Sequence, residues 1–436
     1  MNQKQNQNGN SNKTSLKNKI TLEEFKKLLN KKNIFIFSVN LEGNGFLRRF
    51  NHLGFPVSGF IDSRSFANSQ HRGYKVIHPD IFFTTFSPEE SIVLITAKHR
   101  EIRRWAQELC EINGWVRCKT YFFATDLCDF FPTIEIAGLC NLRCITCNMG
   151  LPGANKYGGL MTAKTYKSII EKLSKEIPFL NSVYLYQWGE PLLNPDLPEI
   201  VQISHDIGIA TEISTNLIDT RKLEALIKTE PDVLVIPCSG TGKNFEITRT
   251  GGSWDKFITN TYKLKEYITK YSAKTVVRIS YHIYKNNIDK DYDEVQKIAN
   301  ELDFLFEPIL AQIFPEKVLQ HVIYGTPIPE TMLEANKLLF YSIEEQLKYA
   351  QSVKDRSCFM IKVFPAIRWD TSVVHCSNLM EPLVSRSFLD TPLEELLSKR
   401  TTNGFCDKCM QHGMHRFFDV AIKVIEKDGI RRIERI

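Results

Sequence analysis

Phe131-Pro-Thr-Ile-Glu-Ile-Ala-Gly-Leu-Cys140-Asn-Leu-Arg-Cys144-Ile-Thr-Cys147 is the stretch that decides the fold and the chemistry of this chain. Its first part, Thr133–Ile136, reads as a short strand. Its second part places three cysteines on one loop directly after that strand, spaced x3 and then x2. Thiolates are the soft ligands that iron–sulfur clusters select. Three of them hold three irons of a cubane and leave the fourth iron open to an exogenous chelating ligand. Zinc is the competing reading. A structural zinc site closes four ligands, usually as paired C-x2-C units. This spacing supplies three, so His205 or His282 would have to be recruited as the fourth.

Downstream of the loop, candidate strands at Val183–Tyr186, Ile209–Ser214, Val233–Ile236, Val276–His282 and Phe304–Ile309 alternate with helical segments. With Thr133–Ile136 they make six β/α units over residues 128–326. Six units fit a partial (β/α)6 TIM-type barrel, open rather than closed, with its chemistry at the C-terminal strand ends. Upstream, residues 17–127 alternate strands and helices and predict a small Rossmann-like α/β domain. Thr21 and Glu24 form a capping-box pattern at its first helix. Asp62 lies about 20 residues after the first turn, where dinucleotide folds place a ribose-binding acid. The glycine fingerprint is broken, however: Ser38-Val39-Asn40-Leu41-Glu42-Gly43 keeps only the last glycine. A structural or substrate-recruiting domain is therefore expected. Residues 1–16 read as a disordered polar tail.

Three further segments follow strand ends. Tyr186-Gln-Trp-Gly189-Glu190-Pro-Leu192 closes the second barrel strand, Ser214-Thr215-Asn216 the third, and Cys238 to Trp254 the fourth. With the cysteine loop they resemble the radical S-adenosylmethionine (SAM) superfamily, over roughly residues 131–409. The resemblance implies one 4Fe–4S cluster on Cys140, Cys144 and Cys147, with SAM chelating the open iron. It implies that Gly189 and Glu190 meet the amino group of the SAM methionine, and that Ser214, Thr215 and Asn216 serve as further SAM contacts. Two departures stand out: Thr146 occupies a place that is commonly aromatic, and Trp188 replaces a glycine. In the fourth segment Cys238 and Arg249 are candidate catalytic residues, and Ser239 a further contact. A lone cysteine at a strand end is otherwise a packing residue.

Residues 327–436 are expected to form a small α+β iron–sulfur domain. Cys358, Cys376, Cys406 and Cys409 are spaced x17, x29 and x2 across a predicted hairpin, Lys362–Ala366 with Ser372–His375. Four thiolates ligate a second cubane fully, and a four-thiolate zinc ribbon is the competing reading. The pattern resembles the auxiliary-cluster module called twitch, a shortened SPASM domain. That implies a second 4Fe–4S cluster and a one-electron donor such as flavodoxin or ferredoxin.

Charge and composition narrow the classes further. Residues 1–32 carry eight lysines against two glutamates, which accounts for the whole net charge of +6. The body is formally neutral, so a nucleic-acid groove is not indicated. There is no apolar run of about 18 residues and no apolar signal segment, which leaves the cytoplasm as the expected location. Eleven cysteines in such a chain read as metal ligands rather than disulfides. The expected activity is reductive cleavage of SAM to a radical that takes hydrogen from a sugar-like small molecule, with net oxidation. Modification of a ribosomal peptide or protein side chain is the alternative enzyme reading. An iron–sulfur electron carrier or redox sensor is the non-enzyme one.

Overall fold

The computed structural model describes residues 20–64, 69–154, 158–358, 360, 366–402, 404–417, 422–427 and 430–435. The N-terminal tail and nearly all of the expected strand Lys362–Ala366 lie outside them.

Six strands make the first sheet: β1 (Asn33–Phe37), β2 (Val57–Ile61), β3 (Gln70–His71), β4 (Tyr74–Ile77), β5 (Ser91–Ile95) and β6 (Tyr121–Phe123). Their order is β3-β4-β2-β1-β5-β6, parallel except for the β3–β4 hairpin. The chain runs outward from β1 on one side to β2 and on the other to β5. The topological switch point therefore lies between β1 and β5. The capping box of Thr21 and Glu24 forms as expected at helix Leu22–Leu29. Phe25 on that helix sits 5.5 Å from both Phe122 and Phe179.

One local expectation fails. Asn40–Gly45 reads as a turn, yet the helix Leu41–His52 begins there, capped by Asn40 Oδ1 on the Gly43 amide. Glycines normally weaken a helix. Here they permit close packing: a Cβ on Gly45 would lie 2.4 Å from the Asn181 carbonyl oxygen.

The second sheet runs β11-β10-β9-β8-β7, formed by β7 (Ser182–Tyr184), β8 (Ala210–Ser214), β9 (Val233–Cys238), β10 (Val276–Ile283) and β11 (Leu305–Leu310). All its pairs are parallel. Sequential parallel order with a helical connection at each step is a partial β/α barrel. The expected first strand contributes bridges rather than a ladder: Thr133 pairs with Tyr184, and Ile134 with Ile367. The apolar residues of the strands alternate outward into the helix layer. Ile213, Leu234, Ile236, Val277, Ile279 and Ile283 all join the main core. Glu212 and Arg278, at the intervening positions, form an ion pair at 3.2 Å.

Helix Leu41–His52 packs against the N-terminal ends of the barrel strands. Arg49, buried, donates to the carbonyls of Pro178 (2.7 Å) and Ile207 (2.8 Å). Arg48 and Arg72 reach Asp232, at the start of β9, at 3.0 and 3.1 Å.

The C-terminal region expected as one helix, Glu330–Ser352, is two: Glu330–Leu338 and Ile343–Ser352. The break is written in the chain, because Ser342 and Glu345 form a second capping box. A short antiparallel pair, β12 (Val373–Val374) with β13 (Leu383–Ser385), follows. Helices Leu393–Thr402 and Phe405–Gln411 and a final hairpin, Ile422–Lys427 with Ile430–Arg435, complete the chain. Among the described residues no helix is long and apolar enough to cross a membrane.

Candidate cluster and cofactor site

Backbone contact without room for side chains draws the cysteine loop onto the second strand end. A Cβ on Gly189 would lie 1.9 Å from the Ala137 carbonyl oxygen and 2.7 Å from that of Leu139. Only glycine tolerates that approach. Gly150 closes the loop in the same way, its missing Cβ falling 2.2 Å from the Cys144 carbonyl oxygen. The Glu190 amide then donates to the Leu139 carbonyl at 2.8 Å.

Glu190 ties three of the predicted segments together. Its Oε1 accepts from Thr215 Oγ1 (2.6 Å) and the Leu192 amide (2.9 Å), and its Oε2 from the Asn216 amide (2.7 Å). Asn216 Nδ2 in turn donates to Asn141 Oδ1 at 2.8 Å and stands 3.9 Å from Cys140 Sγ. Burial pushes the Glu190 carboxyl up to about 7 despite these donors. A carboxylate has roughly four acceptor sites, so the three bonds leave capacity for one more donor.

The three thiols are half-buried and close enough to influence one another's charge. Burial first, then the neighbouring sulfurs, pushes Cys147 up to about 12, and burial carries Cys140 to about 11. Burial also raises Cys144, against the pull of Arg249. Such thiols need a bound cation to give up their protons. Among the described residues, no three His, Cys, Asp or Glu side chains close around a single ion-sized point. The donor set, three soft sulfurs on one glycine-closed loop, fits a three-thiolate cluster site.

Arg249 is buried beside this loop, and its Nε has no hydrogen-bond partner among the described residues. Cys238 lies in the main core, its Sγ 3.4 Å from the Gly240 carbonyl oxygen. Burial pushes its thiol up to about 12, as for a packing residue. Ser239 is engaged with Thr248, Oγ to Oγ1, at 2.6 Å. Ser214 ends β8, in register with Val235 of β9. In the first domain, Asp62 is committed to the Arg64 guanidinium (2.9 Å) and the Val39 amide (3.0 Å). It is therefore not free to meet a ribose.

Cys358, Cys376, Cys406 and Cys409, far apart in sequence, line one cavity with His375 and Arg400. His375 Nε2 stands 3.2 Å from Cys406 Sγ, and Arg400 Nε donates to the His375 carbonyl at 2.7 Å. Burial pushes Cys406 up to about 11 while Arg400 pulls it down.

A three-thiolate loop at the C-terminal end of the first strand of an open parallel barrel is the donor arrangement that an iron–sulfur site uses. The Radical SAM superfamily model matches residues 134–295. That segment, a little over a third of the chain, is similar to radical SAM domains. Over 98 residues the chain is 32% identical to 7,8-dihydro-6-hydroxymethylpterin dimethyltransferase of Methanocaldococcus jannaschii, a match covering 22% of this chain and 19% of that one. The chain thus spans about a fifth of that relative. It is 25% identical over 262 residues to the tungsten-containing aldehyde ferredoxin oxidoreductase cofactor-modifying protein of Pyrococcus furiosus, covering 57% of this chain and 70% of the relative. Among solved structures it is similar to Streptococcus suis SuiB bound to precursor peptide SuiA, at 14% identity and TM-score 0.43 over 71% of this chain and 72% of that one. It is also similar to BtrN in complex with AdoMet and 2-DOIA, at 14% identity and TM-score 0.37 over 65% and 87%.

Proposed function

We propose that this chain is a radical SAM enzyme that oxidises a small, sugar-like molecule by two electrons, with a second cluster on Cys358, Cys376, Cys406 and Cys409 as electron acceptor. Cys140, Cys144 and Cys147 would hold the cluster that, with SAM bound, supplies a hydrogen-abstracting radical, and Cys358, Cys376, Cys406 and Cys409 would hold the group that takes up the electron left on the substrate. Loss of the hydroxyl proton completes an alcohol-to-ketone change.

The observation that carries the reading is a shared wall. A cavity of about 530 Å³ lies against Thr133, Tyr184, Tyr186 and Gln187 of the barrel, and Met360 and Asn378 line both it and the four-cysteine cavity. Gln187 immediately precedes the Trp188-Gly189-Glu190 segment. A volume in this range suits a small ligand. A molecule held there would border the four-cysteine cavity across Met360 and Asn378 and would lie beside the segment that carries Gly189 and Glu190, a placement that suits electron hand-off. The chain's own contribution is to orient that molecule and exclude water.

Anaerobic reconstitution tests the reading. Holoprotein should carry about eight iron atoms per chain and release 5′-deoxyadenosine when given SAM and dithionite. Zinc in place of iron, or intact SAM after reduction, would discard it.

A further inference from the structure

The cavity of about 530 Å³ has a wall that the barrel does not supply. Glu42, Ile95, Ala97, Lys98, Arg103 and Phe123 come from the N-terminal domain. These residues are not scattered over it. Glu42 follows β1, Ala97 and Lys98 follow β5, and Phe123 ends β6. They mark the C-terminal strand ends beside the switch point between β1 and β5, the crevice where open α/β sheets bind their ligands. In this chain that crevice faces the barrel strands, with Lys98 exposed at its rim.

Its polar groups are arranged for a ligand. Glu42 is 4% exposed, and its Oε1 has no hydrogen-bond partner among the described residues. Burial pushes the carboxyl up to about 7, with Lys98 and Arg103 pulling it down. Lys98 Nζ stands 3.3 Å from the Tyr184 hydroxyl and 4.9 Å from the centre of the Phe131 ring. Its place is held by the barrel, not by a carboxylate. The Arg103 guanidinium lies over Phe123 at 4.2 Å and makes no ion pair among those described. Two cations that feel Glu42 but make no contact ion pair among the described residues, a buried carboxyl with an open acceptor, and aromatic faces from Tyr184 and Phe131 line one space.

We infer that the N-terminal domain is the substrate-recognition wall of the enzyme, and that the cavity takes a small hydroxylated molecule bearing an anionic group, a carboxylate or a phosphate. Lys98 and Arg103 receive the anion, Glu42 accepts from a hydroxyl, and the aromatic rings cover the carbon face. The inference rests on the proposed oxidation only in calling this ligand the substrate.

Calorimetric titration of the anaerobic holoprotein with gluconate, glucose 6-phosphate and glucose tests it. The three probes share a polyol and differ in the charged group. At least one anion should bind saturably and glucose should not, and whichever anion binds tells carboxylate from phosphate. Replacing both cations, Lys98→Ala with Arg103→Ala, should weaken binding about a hundredfold, and Glu42→Gln about tenfold. Lys98→Gln, which keeps the aliphatic stem, should still cost about tenfold if the double variant fails to fold. Glucose binding as tightly as the anions, no saturable anion binding, or binding unchanged in folded variants would each overturn the inference. Anion binding by protein that makes no 5′-deoxyadenosine would sink the oxidation reading and leave this site standing. SAM cleavage without anion binding would do the reverse.

Discussion

Replacing Asp232 by alanine should loosen the N-terminal domain from the barrel. This carboxylate is completely buried and receives Arg48 at 3.0 Å, Arg72 at 3.1 Å, His205 at 3.1 Å and the Thr211 amide at 3.1 Å. Two of these partners lie in the N-terminal domain and two in the barrel. Burial works to raise its pKa, but the His205 bond and the two arginine charges prevail and hold it at about 2, below the ordinary 3.8. That difference alone corresponds to about 2.5 kcal/mol at neutral pH. Removing the carboxylate also strands Arg72, whose side chain is 10% exposed. The total loss should be about 3–5 kcal/mol. At roughly 2 cal/mol/K per residue this lowers the melting temperature by about 3–5 °C, more if the domains then melt separately. The sign with pH follows from the depressed pKa. The contribution is full above 3.8 and fades as pH falls through about 2, so wild type and variant should converge in acid. Calorimetry with hydrogen exchange on helix Leu41–His52 reads both effects. A shift under about 1 °C at pH 7, or equal acid sensitivity in both proteins, would refute the argument.

Other expectations follow from the two cysteine sites and from the cavity. Gly189→Ala should abolish 5′-deoxyadenosine formation and cost about four iron atoms, because its Cβ has no space against Ala137; normal iron content would count against the packing argument. Cys140→Ala, Cys144→Ala and Cys147→Ala should each end SAM cleavage, whereas Cys376→Ala or Cys406→Ala should lower iron by about four and keep it, as chromatography and iron assay would show. Glu42, with its carboxyl raised to about 7, contributes stability that is full below 4.5 and lost as pH rises through 7. Between pH 5 and 8 Glu42 should therefore cost wild type the equivalent of about 2.5 kcal/mol, and Glu42→Gln should flatten the melting-temperature profile by that share, with Glu190 keeping its own.

The barrel was legible because its signals are local. Alternating apolar strands, cysteines spaced along one loop, and short polar segments at strand ends all sit within a few residues of one another. The meeting of Gly189–Glu190 with Thr215–Asn216 was foreseeable for the same reason, since both end neighbouring strands. What Glu190 does there was not. Its donors come from its own turn and from the next strand end, and only the fold supplies those. Gly43 and Gly45 misled the reading toward a turn because their use is steric and long-range. Lys98, Arg103 and Glu42 carried no signal at all: charged residues beside strands are ordinary surface until a second domain roofs them. The four C-terminal cysteines were singled out by their spacing and resemblance, while His375 and Arg400, which line the same cavity, are announced by no spacing.

The amide of Ile367 donates to the Thr133 carbonyl at 2.9 Å, and its own carbonyl accepts from the Glu135 amide at 2.8 Å. The short strand feeding the cysteine loop therefore borrows its second neighbour from a segment made very late in synthesis. A nascent chain emerging from the ribosome cannot complete that edge until residue 367 is clear of the exit tunnel. Until then the strand that leads into the first cysteine loop is paired through Tyr184 on one side alone.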